Sequence, residues 1–221
     1  MKRQFVTPNS EYALDLKNPF VGLYFDKSAG VSKRLPIPIE DIRKVQNQCR
    51  LIDDDLRWLV VLVSDTGMRL AAGAGLLKTD IILDADIPHI SLKPHPWRPL
   101  KTSGSQRDIP LVGASLWAAQ RISESFPDSP YAFPRCNRKH TTNSNSASAA
   151  LNKWLHQYVP VGCTMYSFSH SMRDRLRAVE CPSDVIDQIG GWVTEGVGQG
   201  YGKGYELKVC MKCSMKINFD Y

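Results

Sequence analysis

Four short segments of this 221-residue chain hold side chains whose types suit phosphoryl chemistry. Thr66-Gly67-Met68-Arg69-Leu70 carries an arginine just beyond a glycine, and Leu100 to Leu111 (LKTSGSQRDIPL) carries Lys101 in a polar turn. Ile189-Gly190-Gly191-Trp192 ends on an indole, and Gly200-Tyr201-Gly202 presents a phenol nine residues later. A planar guanidinium donates to two phosphoryl oxygens at once. An ammonium delivers a proton to a leaving group, and a tyrosine hydroxyl serves as nucleophile. Each residue also has an ordinary reading. Arg69 is a surface arginine on that reading, Lys101 a solubilising turn residue, and Trp192 core packing. Tyr201 is then a plain helix residue, with Tyr205, four positions on, its rival on the same face. Taken singly, no segment decides; their order and gaps do.

The ordered set resembles the catalytic domain of the tyrosine site-specific recombinases, the phage integrase family. The segment at 66–70 looks like that family's first arginine box, and 100–111 like the β-hairpin that bears its catalytic lysine. The segment at 189–192 is similar to the stretch ending in the family's His or Trp, and the nine-residue gap to Tyr201 is the family's gap to its nucleophile. The likeness runs from about residue 36 to 208. It implies an α+β, mostly α, helical catalytic domain of the DNA breaking-rejoining enzyme type, with a small three-stranded antiparallel sheet. It further implies DNA integration or site-specific recombination in a mobile element, on double-stranded DNA, as a homo-tetramer joined partly by exchanged C-terminal segments; Leu207 to Ile217 is the candidate segment. In that chemistry Tyr201 attacks a phosphodiester to form a 3′-phosphotyrosyl link, and Arg69 holds the phosphoryl oxygens. Lys101 protonates the departing 5′-oxygen and Trp192 donates to a phosphate oxygen. No metal and no other cofactor is implied.

The resemblance breaks at the second arginine box, which in the family reads His-x-x-Arg and is followed by another His. His170-Ser171-Met172-Arg173 has this form, but Arg173 precedes Trp192 by only 19 residues, against about 22 or 23 in the family. The matching register puts Tyr166 at the histidine position and Ser169 at the arginine position, with His170 as the following histidine. A slip of three or four residues would turn the helix and carry Met172, Leu176 and Val179 away from the core. His170 and Arg173 are the substitutes at hand. Arg173, Arg175 and Arg177 otherwise read as a solvated basic face. Ala72 stands where the family has an acid, three residues after its first arginine. Losing one preorganised charge donor costs about 10²–10³ in rate, and losing an acid/base group about 10²–10⁴. The expected activity is therefore an impaired recombinase, and the alternative is a catalytically inactive DNA-binding remnant of an integrase. A third reading, an interaction protein with incidental basicity, fits poorly with Arg69, Lys101 and Tyr201 occurring together.

The rest of the chain must position these residues. A formal charge of +6 and a pI near 9.0 favour a polyanionic partner. Arg98, Arg107, Arg135 and Lys139, with Lys101, are the candidate DNA-backbone contacts. No apolar run reaches the roughly 20 residues of a membrane span, and Lys2 and Arg3 precede no apolar stretch. Six irregularly spaced cysteines read as reduced thiols of a cytoplasmic protein, with Cys210 and Cys213 as two thiols on one helix face. Residues 1–36 read as a linker or remnant of an N-terminal region, and 37–221 as the catalytic domain.

Helical periodicity begins near Pro38, with Ile39, Ile42, Val45 and Cys49 on one face. The run Asp53-Asp54-Asp55 caps a second helix that buries Leu56, Leu59, Val60 and Val63 and ends at Thr66-Gly67. Residues 79–112 predict three short strands. Helices resume near Gly113, Ala147, Ser171, Ser183 and Tyr201, and Pro127 to Asn145 reads as a long polar loop.

Overall fold

The computed structural model describes residues 35–100, 105–138, 141–192 and 204–218, all within the unit Arg34–Tyr221 into which the chain divides after Lys33. Helix α1 (Ile39–Ile52) starts after Pro38, with Glu40 and Asp41 in its first turn. Ile42, Val45 and Cys49 are fully buried, whereas Ile39 is 46% exposed, because the first turn overhangs the core. Asp53 ends the helix in the left-handed conformation, and Asp54 caps α2 (Asp55–Thr66) by accepting from the Arg57 N–H at 2.9 Å.

Helix α2 is the axis of the domain. Trp58 through Thr66 are all buried, so the expected amphipathic face extends around the whole helix, while Leu56 at its start is only partly covered. Each apolar side chain buried this way contributes about 1.5–3 kcal/mol. Around α2 lie α1, the short α3 (Leu70–Ala74) and α4 (Gly113–Glu124). They are joined by α5 (Ser144–Leu155) and α6 (Ser167–Ala178). Strands β1 (Ile81–Ile82), β2 (His89–Leu92) and β3 (Arg107–Pro110) form one antiparallel sheet in the order β1-β2-β3, with Ile90 facing both Ile81 and Ile109.

The region expected to be one polar loop contains structure of its own. Ala132 and Phe133 are fully buried, and Leu77 bridges Tyr131. The Asn137 amide donates to Ala74 O and Phe133 O, which seats a second ribbon of β4 (Asn137–Arg138) and β5 (Thr141–Thr142). Helices α5 and α6 start three or four residues earlier than periodicity suggested, at Ser144 under an Asn143 cap and at Ser167.

Helix α7 (Ser183–Gly190) and α8 (Leu207–Lys216) complete the domain. Cys210, Cys213 and Ile217 pack with Met172, Leu176 and Val185, so α8 is docked on α6 and α7 of its own chain. All six cysteines are buried free thiols. Burial raises the thiol pKa of Cys181, packed against Cys213, to about 12 and that of Cys210 to about 11. Among the described residues no helix is long and apolar enough to cross a membrane.

Candidate active site

Gly67 sets the first wall. It caps α2 at φ +64°, and its N–H donates to Val63 O at 3.1 Å. A Cβ there would sit 3.0 Å from Met172 Cγ and 3.9 Å from Trp192 Cη2, so the turn needs glycine for its dihedral and for its close approach to α6. Met68 is buried and pins the turn. Arg69 follows as the N-cap of α3, with its side chain partly exposed.

The second wall is Arg107, the first residue of β3. Its Nε donates to Ile189 O at 2.7 Å and its Nη1 to Ser105 O at 2.8 Å, tying the sheet to the last turn of α7. Gly191 ends α7 at φ +62°, and a Cβ there would collide with Arg107 Nη1. A Cβ on Gly190 would collide with the Trp192 ring, which folds back beside it. Both glycines of the Gly-Gly-Trp segment are thus explained by the side chains that cross them.

On the outer face of α6, Tyr166, Ser169, His170 and Arg173 follow at helical spacing. Met172 and Leu176 are fully buried on the opposite side, with Val179 partly buried. The Tyr166 and His170 rings lie 5.3 Å apart, and Ser169 Oγ donates to Tyr166 O at 2.8 Å. Arg173 lies over the Trp192 ring at 4.7 Å and is ion-paired with Asp187.

Arg69 and Arg107 line one cavity of about 230 Å³ with Ala72, Leu92, Ser105 and Gly191. Among the described residues no carboxylate lines it. Burial, with the Arg69 charge alongside, lowers the Arg107 pKa to about 10, which leaves it protonated at neutral pH. The cavity therefore presents two cations to whatever enters.

The structure brings Arg69 and Arg107 to one cavity, with Trp192 beside Gly190 of its lining and Arg173 against the indole. Lys101, Tyr201 and Lys139 lie outside the described residues. Tyr205 is described and exposed, and its backbone is clasped by Gln188. The Gln188 Nε2 donates to Tyr205 O, and the Tyr205 N–H donates to Gln188 Oε1, both at 2.7 Å.

Two expectations are corrected. Arg98 is only 2% exposed; its Nε donates to Gly75 O and its Nη2 faces the buried Asp80 at 3.5 Å. It is a scaffold residue, because the buried Asp80 draws the Arg98 charge inward and takes a hydrogen bond with His95. Arg175 is likewise buried against Asp65 at 3.0 Å rather than part of a solvated face; of the three arginines only Arg177 is exposed.

Arg135 is exposed and reaches Asp55 at 3.3 Å. It lines a separate cavity of about 580 Å³ with Arg138, Thr142 and Asn143. The sequence did not reveal Arg107's place beside Arg69, or Gln188's grip on Tyr205. The sole signal for the first was the paired glycines before Trp192, which allow a bulky side chain to cross the turn.

No protein-family model and no curated protein sequence matches the chain. Its fold is shared by solved structures, among them two of one integrase. One is the Tn1549 transposon integrase in complex with circular intermediate DNA, similar at 14% identity and TM-score 0.56 over 83% of this chain and 65% of that one. The other is a tyrosine-to-phenylalanine variant of the same integrase in complex with transposon right end DNA. It is similar at 17% identity and TM-score 0.52 over 75% of this chain and 60% of that one. The chain thus spans under two thirds of either, and the likeness is one of fold.

Proposed function

We propose that this protein binds double-stranded DNA and acts on one phosphodiester as a tyrosine recombinase of reduced activity. The observation that carries the reading is the meeting of Arg69 and Arg107, from two separated segments, on one cavity that no carboxylate lines among the described residues, with Trp192 packed beside Gly190 of its lining. Two like charges held side by side repel, and a phosphoryl group is the ligand that turns that repulsion into attraction. Tyr201 is the nucleophile and Lys101 the general acid toward the leaving 5′-oxygen; Trp192 donates its indole N–H to a phosphate oxygen. Arg135 and Lys139 contact the DNA backbone, and recombination on two DNA sites calls for a homo-tetramer. The fold shared with an integrase solved on DNA supports this partner.

The reduced activity follows from α6. Ser169 is neutral, and its hydroxyl is spent on the Tyr166 carbonyl. Tyr166, itself 44% exposed, supplies no imidazole. Arg173 is balanced by Asp187 and does not replace the missing charge. These same observations favour the second reading, a DNA-binding protein without strand transfer.

A nicked suicide duplex separates the two. The unmodified chain is expected to form a slow covalent protein–DNA adduct on a denaturing gel. The adduct is lost in Tyr201→Phe and accelerates in the double variant Tyr166→His, Ser169→Arg. Salt-steep DNA binding without any adduct in the unmodified chain would leave the binding protein alone. DNA affinity that is flat with salt would remove both readings, because neutralised phosphates must release counterions.

A further inference from the structure

Position 169 raises a question that the cavity answers. A phosphoryl transition state carries charge on more oxygens than one guanidinium can hold, and α6 contributes none at Ser169. Of the arginines around the site, Arg173 is committed to Asp187 and the Trp192 ring. Arg107 is committed to nothing anionic among the described residues. Its Nε and Nη1 are held by the carbonyls of Ile189 and Ser105, which fix the guanidinium plane without cancelling its charge. Gly191 lets that plane lie across the end of α7. Ala72, three residues after Arg69, puts a methyl group on the cavity wall where an acid would compete for either arginine.

We propose that Arg107 is the second guanidinium of this site, forming with Arg69 a clamp on a single phosphoryl group in place of the one absent at position 169. The inference rests on the DNA reading above for the source of that phosphoryl group. Arg107 makes direct contact with two oxygens' worth of negative charge through its outward edge, while its inner edge stays on Ile189 O. The lowered proton affinity of Arg107 reflects first its burial and second the Arg69 charge beside it, the cost of holding it there before an anion arrives. Anion binding relieves that cost.

The test uses the full-length chain with Tyr201→Phe, so that no strand is cut, and inorganic phosphate as the probe. Arginine Nε–H signals are followed by ¹⁵N NMR, with that of Arg107 assigned through its proximity to Gly191. Phosphate is expected to shift the Arg69 and Arg107 signals with one common midpoint. Arg107→Lys is expected to weaken phosphate about ten- to hundredfold, the range for losing a hydrogen bond to a charged group. Arg177→Lys, an exposed arginine of α6, leaves the midpoint unchanged. Phosphate that moves Arg69 alone, or neither signal, overturns the clamp, and this titration needs no variant to fold. DNA binding then tells the two readings apart. A common phosphate midpoint beside salt-insensitive DNA binding supports the clamp and refutes the DNA reading. Salt-steep DNA binding that Arg107→Lys leaves untouched, with its urea midpoint also unchanged, refutes the clamp and keeps the DNA reading.

Discussion

Arg175 and Arg107 are both drawn into the body of the domain, and they meet opposite surroundings. Arg175 reaches Asp65 at 3.0 Å, and its Nη2 donates to Ile217 O at 2.7 Å, while Gln46 donates to the same carboxylate at 2.9 Å. Burial raises the Asp65 pKa and Arg175 opposes it, so charge balances charge. Arg107 meets two carbonyls and another arginine. A carbonyl dipole aims a guanidinium but leaves its net charge intact. The same side chain is therefore a strut where a carboxylate faces it and a ready donor where none does. Arg98 with Asp80 belongs with Arg175, although the sequence offered it as a DNA-backbone contact.

If that contrast is right, the struts fail by unfolding and the donors fail in function. The largest effect is expected from Asp65→Ala, which strands Arg175: a loss of about 3–5 kcal/mol of folding stability by urea titration. Stability held to within ~0.5 kcal/mol, the range of an ordinary surface change, would dissolve the distinction. Arg69→Ala is expected to keep its folding stability yet to slow adduct formation about 10²–10³-fold, in the Tyr166→His, Ser169→Arg background where the rate is easiest to read. Gln188→Ala sharpens the same line from the other side. It removes the clasp on Tyr205, and the adduct rate should fall about tenfold with DNA affinity unchanged, since misplacing a reacting group is costly without a lost contact. A parallel fall in DNA affinity would mean that Gln188 holds the DNA-binding surface instead.

The smallest effect concerns Asp53, on the strut side. The Arg121 hydrogen bond, aided by that of the Trp58 indole, holds its carboxyl below the usual range. A lowered folded pKa gives stability that is complete above the unfolded value near 3.8 and is lost as pH falls through the folded one. Asp53→Asn should therefore flatten part of the acid limb in a pH series of melts, and an unaltered limb would exclude the pair as its source.

Much of the scaffold was legible because local chemistry wrote it. Asp54 had to cap α2 and Gly67 had to end it, since a side-chain acceptor and a left-handed dihedral have few other sources. Met172 and Leu176 are buried where helical periodicity placed them. The ribbon at 137–142 was not legible. Its seat depends on the Asn137 amide finding Ala74 O, 63 residues away, and nothing in a polar stretch announces that bond. The start of α6 was placed near Ser171 rather than at Ser167; the Ser171 hydroxyl is bonded to Ile37, 134 residues away, and the Ser167 hydroxyl accepts from the Thr164 N–H, neither of which a local pattern announces.

Sequence alone determined which side chains are present to do chemistry, in what order, and that position 169 carries no charge. It also determined most of the helices and the three strands, because caps, turns and periodicity act over a few residues; the short α3 was not foreseen, and α8 starts at Leu207 rather than near Tyr201, with Tyr205 ahead of it. Only the tertiary structure decided the fate of each arginine. Charge compensation acts through space, and whether a guanidinium meets Asp65, Asp80, Asp187 or another guanidinium depends on which elements fold against it.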